Sequence, residues 1–168
     1  MQFLDHFDVD DPARVKSNFD AYGRYLEEHK EDFPREAYEF ATANWHYDPQ
    51  HHACLHDTWV AYLEVIESTS TYHEKLRQTD IRLTLLGAYN DGRIEINYEN
   101  VNGYRLGLAS SNTAVNSHGD WLIDEIRLTE SRSLIHEIKF WKDGNWQIEC
   151  SNIRFKWIPL GDQSQDEN

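Results

Sequence analysis

The stretch HYDPQHHACLHD, from His46 to Asp57, holds four of the nine histidines of the chain. A structural or catalytic zinc ion takes about four nitrogen, sulfur or oxygen ligands in a tetrahedral array. The stretch offers such ligands in His46, His51, His52, Cys54 and His56, with Asp57 beside them. Its spacing matches neither CxxC nor HExxH, and Asp48-Pro49 favours a turn. We therefore expect a polar connector between two parts of one domain, with a zinc site in a metal-dependent hydrolase as the alternative.

Two ionisable residues interrupt the apolar faces of neighbouring predicted strands. Asp124 breaks the apolar face of WLIDEIRL, and His136 breaks that of LIHEIKF. If these strands form a hairpin, the two side chains lie side by side or diagonally across it. A buried carboxylate facing an imidazole shifts the pKa of both groups. The pair is either an acid–base dyad in a pocket or a hydrogen-bonded polar pair that fixes the register of the two strands. The second alternative is favoured because no sequence motif places a nucleophile beside the pair.

Aromatic residues supply two further candidate binding residues, Trp121 and Trp141. At strand and helix periods most aromatic side chains belong to the core, although a groove lined by several of them would bind a ligand. Trp141 falls on the same face as Ile135, Glu137 and Lys139, so we expect it to be exposed. An exposed tryptophan beside an acidic surface suits a protein partner.

The N-terminal part, residues 10–47, is predicted to be helical. Asp11 followed by Pro12 is typical of a capped helix start. Pro34 ends this first helix and opens a second that we expect to run through residue 47. The apolar residues of the first helix form one stripe, which indicates that the helix packs on another element.

Residues 58–158 change to a period of two, which is typical of strands. Asn90-Asp91-Gly92 predicts a tight hairpin turn, and residues 130–133 predict a second one. The inward parity changes once after Cys150, which we interpret as a β-bulge at Ser151–Asn152. Residues 107–120 are predicted to be a polar loop, and residues 159–168 a disordered acidic tail.

These elements predict an α+β fold. Two N-terminal helices would pack on an antiparallel sheet or sandwich of about six or seven strands, in a single domain that spans residues 1–158. The sequence does not determine the oligomeric state, although an unpaired edge strand would allow a dimer.

The charge of the chain restricts its partners. The 168 residues include 30 acidic and 16 basic side chains, for a formal net charge of −14. Such a charge repels nucleic acids and anionic membranes and attracts a basic protein. Two cysteines, Cys54 and Cys150, lie far apart, and neither a signal peptide nor a membrane span of about 20 apolar residues is predicted. We expect a cytoplasmic protein.

From LHDTW, at Leu55–Trp59, onwards the chain resembles a loose group of uncharacterised bacterial domains. Their β part opens with an apolar residue followed by His-Asp and later carries an aromatic-rich strand that ends in Asp-Glu, for which WLIDEI at Trp121–Ile126 is the match here. Some members are similar to immunity proteins of bacterial polymorphic toxin systems. The resemblance implies a small, acidic, cytosolic binding protein, and it transfers no catalytic residues.

The sequence thus favours a non-enzymatic protein-binding module of the immunity type that recognises a basic protein and needs no cofactor. One alternative is the metal-dependent hydrolase with ligands between His46 and Asp57. The other is a small-ligand binder with Asp124 and His136 as polar anchors.

Overall fold

The computed structural model describes residues 1–5, 11–69, 77–108 and 117–161. Within these ranges the chain forms two α-helices, α1 (Pro12–Glu28) and α2 (Arg35–Ala41), followed by eight strands. Short 3-10 turns occupy Lys30–Asp32 and Trp141–Asp143. The strands are β1 (Trp59–Thr69), β2 (Arg77–Leu86), β3 (Gly92–Glu99), β4 (Gly103–Leu106), β5 (Trp121–Leu128), β6 (Leu134–Phe140), β7 (Asn145–Cys150) and β8 (Asn152–Pro159).

The strands form two antiparallel sheets whose apolar faces share one core. The first sheet has the order β1-β2-β3-β8, and the second has the order β4-β7-β6-β5. Buried residues from both sheets and both helices belong to the same hydrophobic cluster. The predicted α+β class is therefore confirmed. The strand that the sequence pattern missed is β4, because it has only four residues and three of their side chains are exposed.

Helix α1 begins where the sequence predicts. The Asp11 carboxylate accepts a hydrogen bond from the backbone N–H of Arg14 at 3.0 Å, and Pro12 occupies the first helical position. Helix α2 is shorter than predicted, since it ends at Ala41 rather than near residue 47. The Thr42 hydroxyl bonds to the carbonyl of Tyr38, and the chain then turns so that His46 enters the interior. Burial of this side chain outweighs the weak helical preference of the segment.

The predicted bulge at Ser151–Asn152 is wrong. Strand β7 ends at Cys150 in one sheet, and β8 starts at Asn152 in the other. Ser151 forms the corner, where its backbone N–H donates to the carbonyl of Glu99 at 2.9 Å. The inward parity changes there because the chain passes from one sheet to the other. Both predicted hairpin turns are present, and Asn90 and Arg132 adopt the positive φ that such turns require.

The free edge of β5 is covered by side chains. Every second residue of this strand directs backbone groups away from β6. Side chains of the connector bond to two backbone carbonyls: Nδ1 of His56 bonds to that of Leu122, and the Tyr47 hydroxyl bonds to that of Asp124. Side chains of α1 bond to the next two outward residues: the Tyr22 hydroxyl bonds to both the N–H and the carbonyl of Ile126, and the Tyr25 hydroxyl accepts from the N–H of Leu128. All these distances are 2.8–3.0 Å. Helix α1 and the connector after α2 thus protect this edge from pairing with another strand.

Neither helix in the described ranges combines the length and apolar character needed to cross a membrane. Of the segments expected to be irregular, most of the loop (109–116) and most of the tail (162–168) lie outside the described residues. Pro159, expected at the start of the tail, still belongs to β8.

Candidate functional site

A buried cluster of one carboxylate and two imidazoles lies between the second sheet and the connector after α2. The Nε2 atoms of His46 and His136 lie 2.8 and 3.0 Å from the same oxygen, Oδ2 of Asp124. The other oxygen, Oδ1, accepts a hydrogen bond from the Trp121 indole N–H at 3.1 Å. Asp124 is 1% exposed and His46 is 1% exposed, so the cluster is closed to bulk water.

Sheet register places Asp124 and His136 diagonally. Asp124 lies opposite Ile138, and His136 lies opposite Ile126, two positions along β5. A register shift between Trp121 and Ile123 turns the start of β5 so that Trp121 and Asp124 both face inward. The expected proximity of Asp124 and His136 is therefore confirmed. His46 comes from a different part of the chain, and nothing in the periodicity linked it to this pair.

Hydrogen-bond partners determine where the protons of His46 lie. Its Nδ1 atom is 2.8 Å from the carbonyl oxygen of Phe40, which only accepts, so Nδ1 carries a proton. Its Nε2 atom faces Asp124, and a carboxylate also only accepts. His46 is therefore an imidazolium paired with the Asp124 carboxylate, and the two opposite charges compensate each other in the interior.

His136 connects the cluster to the first sheet. Its Nδ1 atom lies 3.0 Å from the hydroxyl of Tyr98, a residue of β3. Burial raises the pKa of Tyr98 well above its ordinary value, so this hydroxyl keeps its proton and can offer it to Nδ1. Nε2 of His136 donates to Asp124, whose carboxylate only accepts. The chain of bonds from Tyr98 through His136 to Asp124 and His46 joins both sheets to the connector.

The pKa values of the ion pair shift in opposite directions. Burial alone would raise the pKa of Asp124, but the charge of His46 and the hydrogen bonds from His136 and His46 together hold it well below the ordinary value of 3.8. Burial alone would lower the pKa of His46, but the charge and hydrogen bond of Asp124 and the bond to Phe40 together raise it above 6.5. Both shifts favour the ionised form of the group.

A small pocket of about 100 Å³ adjoins the cluster. Most of its lining is apolar, and the polar residues on it are the pair described above and His56. The residues that line it are Phe19, His46, Tyr47, Pro49, His56, Trp121, Leu122, Ile123 and Asp124. The pocket has space for one small organic group.

The side chains proposed as metal ligands do not converge. His46 binds Asp124, and the N–H of Ala53 donates to His51. His52 pairs with Asp91 and stacks on Tyr89, and both of these contacts lie on the surface. His56 bonds to the carbonyl of Leu122, and its Nε2 lies 3.6 Å from Oδ1 of Asp57, which also accepts a hydrogen bond from Trp141. Among the residues that the structure describes, no group of three His, Cys, Asp or Glu side chains is arranged to hold a metal ion.

The connector interpretation accounts for what these residues do. Residues 46–57 link α2 to β1, and their two ends, His46 and His56, both bind β5. Between them, Ala53, Cys54 and Leu55 are buried. His46, Tyr47 and His56 of this stretch thus supply hydrogen-bond partners to β5, beside those that α1 supplies.

The candidate aromatic residues differ in exposure. Trp121 is fully buried and lines the pocket, so it cannot contact a partner protein at the surface. Trp141 is 43% exposed, as expected from its face of the strand. Its indole N–H lies 3.3 Å from Oδ1 of Asp57, and its backbone N–H donates to the carbonyl of Asp120. Cys150 is a core residue, and burial raises the pKa of its thiol to about 12.

Glu125, the neighbour of Asp124, forms a second buried polar centre. The sequence places it on the opposite face, towards solvent or Arg127, and it does lie beside Arg127. It is fully buried, however, because residues 2–4 cover it. The backbone N–H groups of Gln2, Phe3 and Leu4 all donate to its carboxylate at 2.8 Å.

Comparisons of the chain with protein-family models, with curated proteins and with solved structures found no match. The fold and the site define an α+β protein of two antiparallel sheets with a closed Asp–His–His cluster. What this protein does must follow from its own geometry.

The ion pair predicts a specific pH dependence of stability. The raised pKa of His46 means that its contribution is complete below the ordinary imidazole pKa of 6.5 and is lost as pH rises through the folded-state pKa. The lowered pKa of Asp124 means that its contribution is complete above 3.8 and is lost as pH falls through the folded-state pKa. We expect the pair to contribute most between 3.8 and 6.5.

The variant Asp124→Asn provides the reference for this measurement. Without the carboxylate, burial lowers the pKa of His46, so its neutral form is favoured and stability rises with pH around 6.5. The difference in unfolding free energy between wild type and Asp124→Asn should therefore shrink from pH about 5 to about 8. Urea unfolding at several pH values gives this difference. Burial lowers the pKa of His118, which has the opposite effect on stability, but that effect is the same in both proteins and cancels in the difference. A difference that grows with pH would show that His46 is not the cation.

Proposed function

We propose that this chain is a non-enzymatic binding protein that recognises a basic protein, a role of the kind that immunity proteins carry out. Its net charge of −14 supports a basic partner, because opposite charges accelerate encounter and disfavour acidic competitors. A protein partner is favoured because Trp141, the exposed residue among the candidate binding residues, is aromatic.

Trp141 is the observation that carries this proposal. Large aromatic side chains that are exposed in the free protein and held in one position are the residue type that most often dominates an interface. The bond from its indole to Asp57 and the bond from its backbone to Asp120 hold Trp141 before any partner arrives. A side chain that is already ordered loses little entropy on binding.

The saturation of the polar cluster supports a role without catalysis. Both oxygens of Asp124 and all four ring nitrogens of the two histidines have protein partners. A general acid or base must reach a proton on its substrate, within hydrogen-bond distance or through one water molecule. The cluster fulfils a structural task at this position, which is to join the two sheets to the connector.

The pocket beside the cluster favours a second candidate, the binding of a small molecule. Its walls are mainly apolar, with His56 at one side. A ligand that copurifies with the protein and occupies this pocket in a crystal would favour this candidate over a protein partner.

The test uses the purified products of the neighbouring genes as probes, taking first the most basic one. We expect isothermal titration calorimetry to show a one-to-one complex. Its affinity should fall between about 0.1 M and about 0.5 M salt, because the Debye screening length shortens over this range. Trp141→Ala should weaken binding about 30-fold, which corresponds to a loss of about 2 kcal/mol.

Tyr104→Ala is the matched control, since Tyr104 on β4 is an aromatic residue of similar exposure, 51% against 43% for Trp141. We expect it to change affinity less than about threefold. Equal losses in the two variants would contradict the assignment of Trp141 as the anchor. Absence of a complex with any of these proteins at low salt would contradict the proposed function.

A further inference from the structure

The edge strands of the two sheets differ in what covers them. The free side of β5 is closed by hydroxyl and imidazole groups at every second residue. Helix α2 packs beside β8, the edge strand of the other sheet. At the opposite edge of that sheet, β1 hydrogen-bonds to β2, and no other described element pairs with its second side.

Strand β1 has the length and regularity that pairing requires. It spans eleven residues, Trp59–Thr69, and its register shift lies between Val60 and Tyr62. From Tyr62 to Ser68 the ladder with β2 is uninterrupted. These residues extend over about 24 Å at about 3.4 Å per residue, so about three or four of them direct N–H and C=O groups to the open side.

Exposed side chains accompany this open backbone. Tyr62 and Val65 are 54% and 41% exposed, and Trp59 at the start of the strand is 39% exposed. Long edge strands with exposed apolar residues bind other strands unless a protein blocks them. Natural blocking devices include lysine, proline, other charged side chains and bulges. Strand β1 has no lysine or proline, its register shift lies near its start, and Glu64 and Glu67 are its charged residues. Asp57, which holds Trp141, lies just before β1, so the proposed anchor and the open edge adjoin at one end.

We propose that β1 is a strand-addition site for an extended basic segment of the partner protein. This inference rests on the proposed binding function and specifies how the partner is held. The added strand continues the first sheet beyond β1, with main-chain bonds to Tyr62–Ser68 and with side chains that alternate between its two faces. Glu64 and Glu67 are the charged side chains of β1, and they lie on opposite faces of the strand. Arg82 and Arg77 of β2 pair with them at 3.1 and 3.8 Å, so the net charge of −14, and not these two carboxylates alone, favours lysine or arginine in the segment.

Charge selects this occupant over a second copy of the chain. Two copies joined through β1 would each bring a net charge of −14 to the same interface. Glu64 and Glu67 pair with Arg82 and Arg77 of β2 within each copy, so it is the net charge that opposes the dimer. Like charges across an interface disfavour such a pairing. A basic segment instead lowers the repulsion among the acidic groups of the chain.

Proline variants test the backbone pairing directly. Backbone N–H groups of an edge strand alternate between the neighbouring strand and the open side. Val65 and Ile66 are adjacent, so their N–H groups point to opposite sides of β1. Proline at one of the two residues therefore removes a hydrogen bond to β2, and proline at the other removes an outward N–H and leaves the β1–β2 ladder intact. The variant that keeps the wild-type melting temperature blocks the edge, and alanine at the same position is its matched control.

A display library of random peptides of about twelve residues provides the probe, selected on the full chain. We expect the enriched peptides to be basic and to alternate β-branched or aromatic residues with polar ones. They should bind the folded proline variant at least about tenfold more weakly than wild type and bind the alanine control like wild type. Hydrogen exchange should show new protection in the complex at those amides of Tyr62–Ser68 that point away from β2.

Three outcomes would overturn strand addition: peptides that bind the folded proline variant as well as wild type, a library without enriched binders, or a β1-dependent dimer of the chain. Binding of the partner that the Trp141 experiment identifies distinguishes failure of strand addition from failure of the proposed binding function. If that partner binds the proline variant with unchanged affinity, the protein is a binding protein that does not use β1.

Discussion

Asp124→Ala should lower the free energy of unfolding by about 3–5 kcal/mol at pH 7, because removal of one member of a buried ion pair leaves the other charge without compensation. In this variant the His46 imidazolium loses its carboxylate, and the N–H groups of His136 and Trp121 lose their acceptor. A domain of this size has a total stability of only about 5–15 kcal/mol. Urea unfolding followed by circular dichroism measures the change.

Asp124→Asn should cost much less, about 1 kcal/mol, because imidazoles can exchange donor and acceptor roles. The asparagine oxygen still accepts from Trp121, and its amide N–H groups donate to Nε2 of His46 and of His136. His46 becomes neutral and keeps its proton on Nδ1, where the carbonyl of Phe40 accepts it. His136 moves its proton to Nδ1 and donates to Tyr98.

Glu130→Ala is the control for a change of one charge, since Glu130 is exposed in the turn between β5 and β6. We expect a change within about 0.5 kcal/mol. A double variant, Asp124→Ala with His46→Ala, should cost less than the sum of the two single variants, because the unpaired charge is then absent. Equal losses for alanine and asparagine at residue 124 would show that the exchange of proton positions does not occur.

Local chemistry explains which elements the sequence predicts. The start of α1 depends on Asp11 and Pro12 alone, and the β2–β3 turn depends on Asn90 and the following two residues, so each could be identified without knowledge of the rest of the chain. The end of α2 depends on where His46 must go, which is set by a strand that follows it by many residues. For this reason the start of α1 was predicted and the end of α2 was not.

The site was predicted in part because an ionisable residue on an apolar face needs a partner. That rule singled out Asp124 and His136, and sheet register brings them together. It could not identify His46, because a contact between residues 78 positions apart has no local signature. The density of histidines around His46 suggested a metal instead, although these side chains serve as hydrogen-bond partners for separate parts of the fold.

Parity predicted the direction of a side chain but not what covers it. Glu125 was expected on the face opposite Asp124, and that is where it lies. Contact with solvent or with Arg127 was expected there, and Arg127 does lie beside the carboxylate, but residues 2–4 also pack over it and bury it. The change of parity after Cys150 was likewise detected, and its cause was a change of sheet. In both cases the missing information concerns how separate segments pack on one another.

Glu125→Ala should be the other strongly destabilising substitution, with an expected loss of about 3–5 kcal/mol. Three backbone N–H groups, of Gln2, Phe3 and Leu4, lose their acceptor, and Arg127 loses a carboxylate whose Oε1 lies 2.5 Å from its Nε. Release of residues 1–5 to water would limit the global loss. Hydrogen exchange at the three amides is therefore measured together with urea unfolding, and we expect protection at these amides to be lost.

Glu125→Gln should retain most of this loss, about 2–4 kcal/mol, unlike the mild change expected at Asp124. Each oxygen of Glu125 receives at least one backbone N–H, and a backbone N–H cannot become an acceptor. Whichever way the glutamine amide points, its own N–H groups face a donor that has no alternative. The amide substitution should thus retain most of the stability at Asp124, whose partners include histidines, and lose much of it at Glu125, whose partners are backbone N–H groups. The matched control is Glu130→Gln, at the exposed residue of the β5–β6 turn. A Glu125→Gln variant as stable as this control would contradict the explanation of how the N-terminal segment is held.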